Sequence, residues 1–163
     1  EGAFIASNRK VINDNLSDIS LCTTQFDAVT STTGATLTNV VGMVTDTLEV
    51  GTYKFKLTVP CVATANTGIK MAFKWGTASM ITSAEYEAKA FTASGVVVTR
   101  GTTASDQALL LDSASGVVIL GEITGVLVVA KEGKLQFQAA QHTAHADTVS
   151  VYVKAQMQFE KIA

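Results

Sequence analysis

The chain is predicted to be an all-β, antiparallel two-sheet sandwich of the jelly-roll kind. Three observations lead there. Several segments alternate apolar and polar residues with period two, the mark of a half-buried strand. The composition is rich in Thr and Val and low in charge, at 16% charged and 47% hydrophobic residues, which favours strands. About ten short strand segments are separated by Gly-, Ser-, Thr- and Asp-rich turns with no strand–helix alternation, which disfavours a parallel sheet. Jelly-roll and immunoglobulin-like sandwiches both fit. Trp75 follows both cysteines instead of lying between them, so the Cys…Trp…Cys pattern of an immunoglobulin domain is absent and the jelly-roll is preferred.

Residues 1–20 differ from the rest. They carry Arg9, Lys10 and several Asn and Asp residues, with Phe4, Ile5, Val11, Ile12, Leu16 and Ile19 spread irregularly. They are read as an N-terminal arm, leaving residues 21–163 as the jelly-roll domain. Val11, Ile12, Leu16 and Ile19 have near-helical spacing, which permits a short helix. An extended arm that docks on a partner, because it cannot bury its own apolar groups, and a first strand packed on its own domain are the other two readings.

Residues 22–29 are the next strand, followed by turn chemistry at 31–34. Strands over 36–41 and 43–50 are separated by Gly42. Residues 52–59 form the clearest strand of the first half: Tyr53, Phe55, Leu57 and Val59 alternate with Lys54, Lys56 and Thr58. Pro60, which lacks a ladder donor, is expected to end it. A loop over 63–68 leads to the strand 69–75, closed by Gly76. Residues 78–93 permit a helix by composition, yet their alternation assigns a strand. A strand over 96–99, a loop over 101–106, a short strand over 107–111 and a turn over 112–116 follow. Residues 117–130 read as strands broken near Gly121 or Gly125.

The last thirty residues carry the strongest pattern. After a turn at 131–133, Leu135, Phe137 and Ala139 face one way, and Gln136, Gln138 and Ala140 the other. A polar, His-containing turn leads to a second arm. There Val149, Val151, Val153, Ala155, Met157 and Phe159 share one face. The two arms are predicted to form a closing hairpin. Its second strand is roughly 13 residues long against a usual 3–10 and is expected to lie centrally in a sheet.

With 163 residues the chain fits one domain and buries about 70% of its unfolded surface on folding. Net charge is −2 and basic residues are scattered singly apart from Arg9-Lys10, so the clustered footprint of a nucleic-acid binder is missing. No apolar run reaches the ~20 residues of a membrane-spanning helix; the longest, 116–130, is interrupted by Glu122. The N-terminus lacks a basic-then-apolar leader pattern. Low charge also points to part of the surface being interface. Cys22 and Cys61 belong to no metal or redox spacing, and both are read as free, buried thiols, with a disulfide as the alternative.

Candidate chemistry is sparse. His142, His145 and Asp147, in the pattern HTAHAD, form the one cluster that could hold a metal, with water-facing loop histidines as the alternative. No GxSxG, phosphate loop or HExxH occurs. Glu85 and Glu87 share a strand face and read as a solvated pair instead of glycosidase carboxylates. Cys61 has no basic neighbour that would lower its pKa. Trp75 and Tyr86 could line a sugar site, with core or interface packing as their default. No cofactor and no enzymatic activity are expected.

Five segments carry a resemblance. TLEVGTYKFKL (residues 47–57), TGIKMAFKWG (67–76), GKLQFQAA (133–140), DTVSVYVK (147–154) and the final KIA resemble the strands of tailed-bacteriophage virion proteins. These in turn resemble the jelly-roll heads of the tumour-necrosis-factor and complement families. Where the family pattern has "gSyl", this chain has Val151 to Lys154. The resemblance covers residues 45–163 and implies a homotrimer. It also implies one of two places in the virion: a capsid decoration (cement) protein on the outer head surface, or a receptor-binding head of a tail or head fibre that meets a host surface glycan. No heptad-bearing stalk is present, so decoration is expected, with the particle assembled in the host cytoplasm. The arm residues Phe4, Ile5, Arg9, Lys10, Val11, Ile12 and Leu16 would then contact the major capsid protein or a neighbouring decoration subunit. Trp75, Tyr86, Tyr152, His142 and His145 would serve as trimer or surface contacts. No nucleic acid and no membrane are expected as partners.

Overall fold

Alternation in residues 51–62 builds the central strand of the sandwich. A computed structural model describes residues 22–25, 30–76, 79–93, 95–103, 107–113 and 117–163. In chain order the strands are β1 (Cys22–Gln25), β2 (Thr30–Thr32), β3 (Thr38–Val44), β4 (Gly51–Val62), β5 (Ile69–Trp75) and β6 (Ile81–Thr92). They continue with β7 (Gly95–Thr103), β8 (Gln107–Ser113), β9 (Val118–Val129), β10 (Leu135–Ala140), β11 (Val149–Val151) and β12 (Gln156–Lys161). No helix occurs among the described residues. None is therefore long and apolar enough to cross a membrane.

Two antiparallel sheets result. The larger runs β1-β12-β4-β9-β6-β7, with β11 beside β4 and β2 beside β11; the smaller runs β3-β10-β5-β8. Successive strands cross between sheets, from β3 to β4 to β5 and from β8 to β9 to β10. The order β1-β12-β4-β9 over β3-β10-β5-β8 is that of an eight-stranded jelly-roll. The β6–β7 hairpin is an insertion between β5 and β8 that extends the larger sheet past β9.

Four phenylalanines from four strands tie the layers together. Phe55 and Phe159 of the larger sheet stack at 6.0 Å between ring centroids, and Phe73 of the smaller sheet meets Phe55 edge-on at 5.6 Å. Phe73 also meets Phe159 at 5.7 Å and Phe137 at 6.4 Å. Such pairs add about 0.5–1.5 kcal/mol each beyond area burial. Tyr53, Leu57, Val59, Met71, Ile123, Leu127, Leu135 and Met157 complete the core around them.

Several expectations are corrected. Pro60 does not end its strand: β4 runs on to Val62, with Pro60 opposite Leu120 of β9. Its carbonyl accepts from the Tyr152 N–H at 2.9 Å. In an antiparallel ladder a residue's nitrogen and carbonyl point to the same neighbour, so the donor-less nitrogen faces the gap between β11 and β12. Likewise β9 is continuous through Gly121 and Gly125, and at Gly125 the missing side chain makes room for its neighbours. A Cβ on Gly125 would meet the Glu85 carbonyl and lie 2.7 Å from Phe55 Cζ.

The closing hairpin does not form. β10 lies in the smaller sheet between β3 and β5, whereas β11 and β12 lie in the larger one. The second arm is also not one strand. Residues 152–155 turn out of the sheet, with Lys154 at φ 71°. Val153 consequently becomes 41% exposed while Ala155, Met157 and Phe159 stay buried. β12 does lie inside its sheet, between β1 and β4.

Gly42, at φ 81°, sits within β3 instead of separating two strands. Between the pairs Gln136↔Val44 and Gln138↔Asn39 the strand bulges, and the Gln136 amide donates to the carbonyls of Val40 and Met43 at 2.9 and 3.1 Å. Residues 45–50 form a connection with a single bridge, Leu48↔Gly133, in place of the expected strand. β7 extends to Thr103 and β8 to Ser113, past the loop and turn expected there. Residues 26–29, 104–106, 114–116 and the arm 1–20 lie outside the described residues.

The two cysteines are far apart. Cys22 pairs with Phe159, which pairs with Phe55, and Cys61 lies six residues further along β4, about 20 Å away at strand rise. A disulfide needs Cα atoms within about 7 Å. Cys61 is accordingly a free, buried thiol.

Candidate functional site

The outer face of the larger sheet can be read directly from its register. Even-numbered positions of β4 and β9 and odd-numbered positions of β6 point outward. Three rows across the strands are mainly polar, Val126 and Val98 being their apolar members. Glu160, Lys54, Val126 and Glu85 form one; Gln158, Lys56, Thr124, Glu87 and Arg100 the next; Gln156, Thr58, Glu122, Lys89 and Val98 the third. Opposite charges alternate along this band. Arg100 binds Glu87 at 2.8 Å and Lys89 binds it at 3.1 Å. The Arg100 hydrogen bond, then Lys89, hold the Glu87 carboxyl below its usual pKa.

Within the band lies an open groove of about 420 Å³. It is lined by Lys54, Lys56, Thr124, Val126, Gln158 and Glu160 over the backbone of Phe55 and Gly125. Neither Lys54 nor Lys56 has an ion-pair partner among the described residues. The groove therefore offers free ammonium, amide and carboxylate groups.

The fourth row is apolar. Pro60, Leu120, Phe91 and Val96 stand in register across β4, β9, β6 and β7. Tyr152 extends the row beyond Pro60 through its backbone hydrogen bond. Val96 is 52% exposed, and Ile119, the extra residue where the β6–β9 register shifts, is also 52% exposed. Val98, Val117 and Val153 widen the same end of the sheet. Pro60, Leu120 and Phe91 are half-buried and Val96 and Ile119 exposed, an apolar cluster of the kind that can serve as an interaction site. Its sequence signal is loss of alternation: residues 96–98 and 117–120 are apolar on both strand faces.

The sequence candidates separate into interior and surface. Trp75 is a correction: it is only 5% exposed, because the odd positions of β5 face the other sheet, and its indole N–H finds no partner. It is a core residue and no surface contact. Tyr86 also points inward, packed against the core across from Gly125 and Gly101. A Cβ on Gly101 would strike the Tyr86 ring. Tyr152 is 39% exposed at the end of the apolar row. The arm residues Phe4, Ile5, Arg9, Lys10, Val11, Ile12 and Leu16 lie outside the described residues.

The histidine loop is held from beneath. The buried Gln141 amide donates to the carbonyls of His145, at 3.2 Å, and of Asp147, and its oxygen accepts the His145 N–H at 2.8 Å. Asp147 accepts the Thr64 hydroxyl at 2.8 Å and lies 3.3 Å from His145 Nδ1. That nitrogen accepts the Asp147 N–H at 3.1 Å. Thr64, then Asn66, hold the Asp147 carboxyl below its usual pKa. His145 and Asp147 thus meet as a loop latch. No group of three His, Cys, Asp or Glu residues able to hold a metal forms among the described residues. Burial pushes the Cys61 thiol up to about 12, which makes it a poor nucleophile.

No protein-family model matches the chain, and no curated protein sequence matches it significantly. Solved structures do show likeness. Murine APRIL at pH 8.5 is 11% identical over 87% of this chain and 98% of its own, with a TM-score of 0.39. Eiger TNF from S. frugiperda is 8% identical over 89% and 93%, with a TM-score of 0.38. The carbohydrate-binding module CBM6cm-2 of Cellvibrio mixtus lichenase 5A, in complex with cellotriose, is 14% identical over 90% and 94%, with a TM-score of 0.31. The likeness extends no further than the β-sandwich, and the jelly-roll order rests on the strand pairing itself.

Proposed function

We propose that the chain is a structural virion protein of a tailed bacteriophage, a decoration protein that binds the outer surface of the head as a homotrimer and stabilises it. The observation that carries this reading is the apolar row Pro60–Leu120–Phe91–Val96, left open on a sheet whose own core is complete. The phage-like segments at 47–57, 67–76, 133–140 and 147–154 supply the virion context. In this reading the protein turns nothing over. It works by mass action, because a partner that binds only the assembled shell stabilises it, and three attachments per trimer add avidity. The arm from Phe4 to Leu16 reaches the major capsid protein or a neighbouring decoration subunit.

The groove of Lys54, Lys56, Gln158 and Glu160 favours a second reading. Its free polar groups suit a hydroxyl- or carboxylate-bearing glycan, as the receptor-binding head of a tail or head fibre would require. Copy number and location separate the two. Gold-labelled antibody on intact particles, with gel densitometry, should show hundreds of copies spread over the head. A few copies at a tail or fibre tip would overturn decoration in favour of the fibre head. Absence from particles altogether would sink both.

A further inference from the structure

The row has a shape that selects its occupant. From Pro60 to Val96 it crosses three strand-to-strand steps, about 14 Å, and Tyr152 lengthens it to about 19 Å. It is narrow, and it runs perpendicular to the strands. The sequence carries a second apolar run of similar length. Val11, Ile12, Leu16 and Ile19 fall on one side of a helical projection, with Asn13, Asp14, Asn15, Ser17 and Asp18 among the positions between them. Nine residues of helix span about 13 Å. Such a helix would present one apolar ridge to an apolar row of matching length, in the manner of a helix laid in a groove.

We propose that the apolar row of one copy is the docking site for residues 11–19 of a neighbouring copy. A chain's own helix over residues 11–19 cannot lie along it, because Ile19 would have to sit on the row. The arm joins β1 at Cys22, which stands in the row of Phe159 and Phe55. Pro60 is five residues further along β4, roughly 16 Å away. Ile19, only three residues before Cys22, reaches no more than about 10 Å from it. The contact is therefore made in trans. It joins two different surfaces, so it is heterologous and passes from copy to copy until it closes in a ring. Closure at three copies gives the trimer of the proposed function. The inference rests on the oligomeric part of that reading and not on the location on a phage head.

Sedimentation equilibrium of the full chain tests it with two double variants, each checked for folding by far-UV circular dichroism. Val96→Asp/Ile119→Asp spoils the row at two half-exposed positions. Leu16→Asp/Ile19→Asp spoils the arm. The unaltered chain should sediment near three chains and each variant near one. An equal mixture of the two variants should regain a two-chain species, because one supplies an intact arm and the other an intact row. A monomeric unaltered chain, a variant that keeps the full mass, or a mixture that stays at one chain would each overturn the proposal. Should the row variant unfold, Tyr152→Glu/Val153→Glu at the other end of the row takes its place. Binding to phage heads is read separately. A trimer that ignores heads would sink decoration and leave arm exchange standing, whereas a monomer that coats heads would do the reverse.

Discussion

At Gly125 β9 lies close against both β6 and the aromatic core, and replacing it by alanine tests the packing argument in one step. The added methyl would sit against the Glu85 carbonyl of β6 and 2.7 to 2.8 Å from two atoms of the Phe55 ring. Neither neighbour can yield cheaply. The carbonyl belongs to a strand paired on both sides. The ring stacks on Phe159 and meets Phe73 edge-on. Overpacking of a dense interior costs about 1–3 kcal/mol, and a clash with backbone puts this site at the upper end. For a domain of this size each kcal/mol lowers the melting midpoint by about 2–4 °C, so a loss of roughly 6–12 °C is expected. Gly76→Ala is the control, since its Cβ would meet nothing within 4 Å. There the reduced freedom of the unfolded chain should leave stability unchanged or raise it by up to about 1 kcal/mol. Calorimetry and urea unfolding read both variants. If Gly125→Ala melts at or above the unaltered chain, the close approach of β9 to β6 is wrong.

Three further outcomes are expected. Cys61, with its thiol pushed up to about 12, should resist iodoacetamide at pH 8 in the folded chain and react on unfolding; peptide mass spectrometry that finds it alkylated under native conditions would contradict its burial. Gln141→Leu removes three hydrogen bonds to the loop 142–148, so at about 0.5–1.5 kcal/mol each it should lose roughly 2–4 kcal/mol and release amide protection in that loop; unchanged exchange would show the latch to be idle. The Asp147 carboxyl is held below its usual pKa by Thr64, Asn66 and His145, so its stabilisation is present in full above the unfolded value of about 3.9 and is lost as pH falls through the folded value. The stability gap between the unaltered chain and Asp147→Asn should therefore close on acidification below about pH 4, and a gap that stays constant from neutral pH to pH 2.5 would refute the linkage.

Faces of strands were legible in the sequence, whereas neighbours of strands were not. Residues 53–59 and 69–75 alternate because each strand puts one side into the core, and that demand is written locally. Tyr53, Phe55, Phe73 and Trp75 are buried as the pattern requires. Pairing is a different matter. β10 and β11 are separated only by residues 141–148, yet they belong to opposite sheets. A short link suits a hairpin and a crossing between layers equally well. Local breaking rules failed where distant strands supplied the compensation. Pro60 continues a strand because its nitrogen faces the gap between β11 and β12. Gly125 continues one because Phe55 occupies its space. The reverse occurs at 152–155, where residues fit for a strand leave the sheet and Lys154 takes a left-handed backbone.

The candidate site follows the same division. Its members come from the outward faces of four strands, and only their register makes Pro60, Leu120, Phe91 and Val96 a row. Individually each is an ordinary exception to alternation, since isolated apolar residues on a protein surface need no explanation. What distinguishes them is that the exceptions coincide at one end of one sheet, beyond three rows that keep alternating charge. The change from Glu122 and Lys89 in one row to Leu120 and Phe91 in the next is the observation on which the proposed docking surface rests. The run Val11, Ile12, Leu16 and Ile19, whose sequence spacing fits a helix, is the element we propose to cover that row from a neighbouring copy.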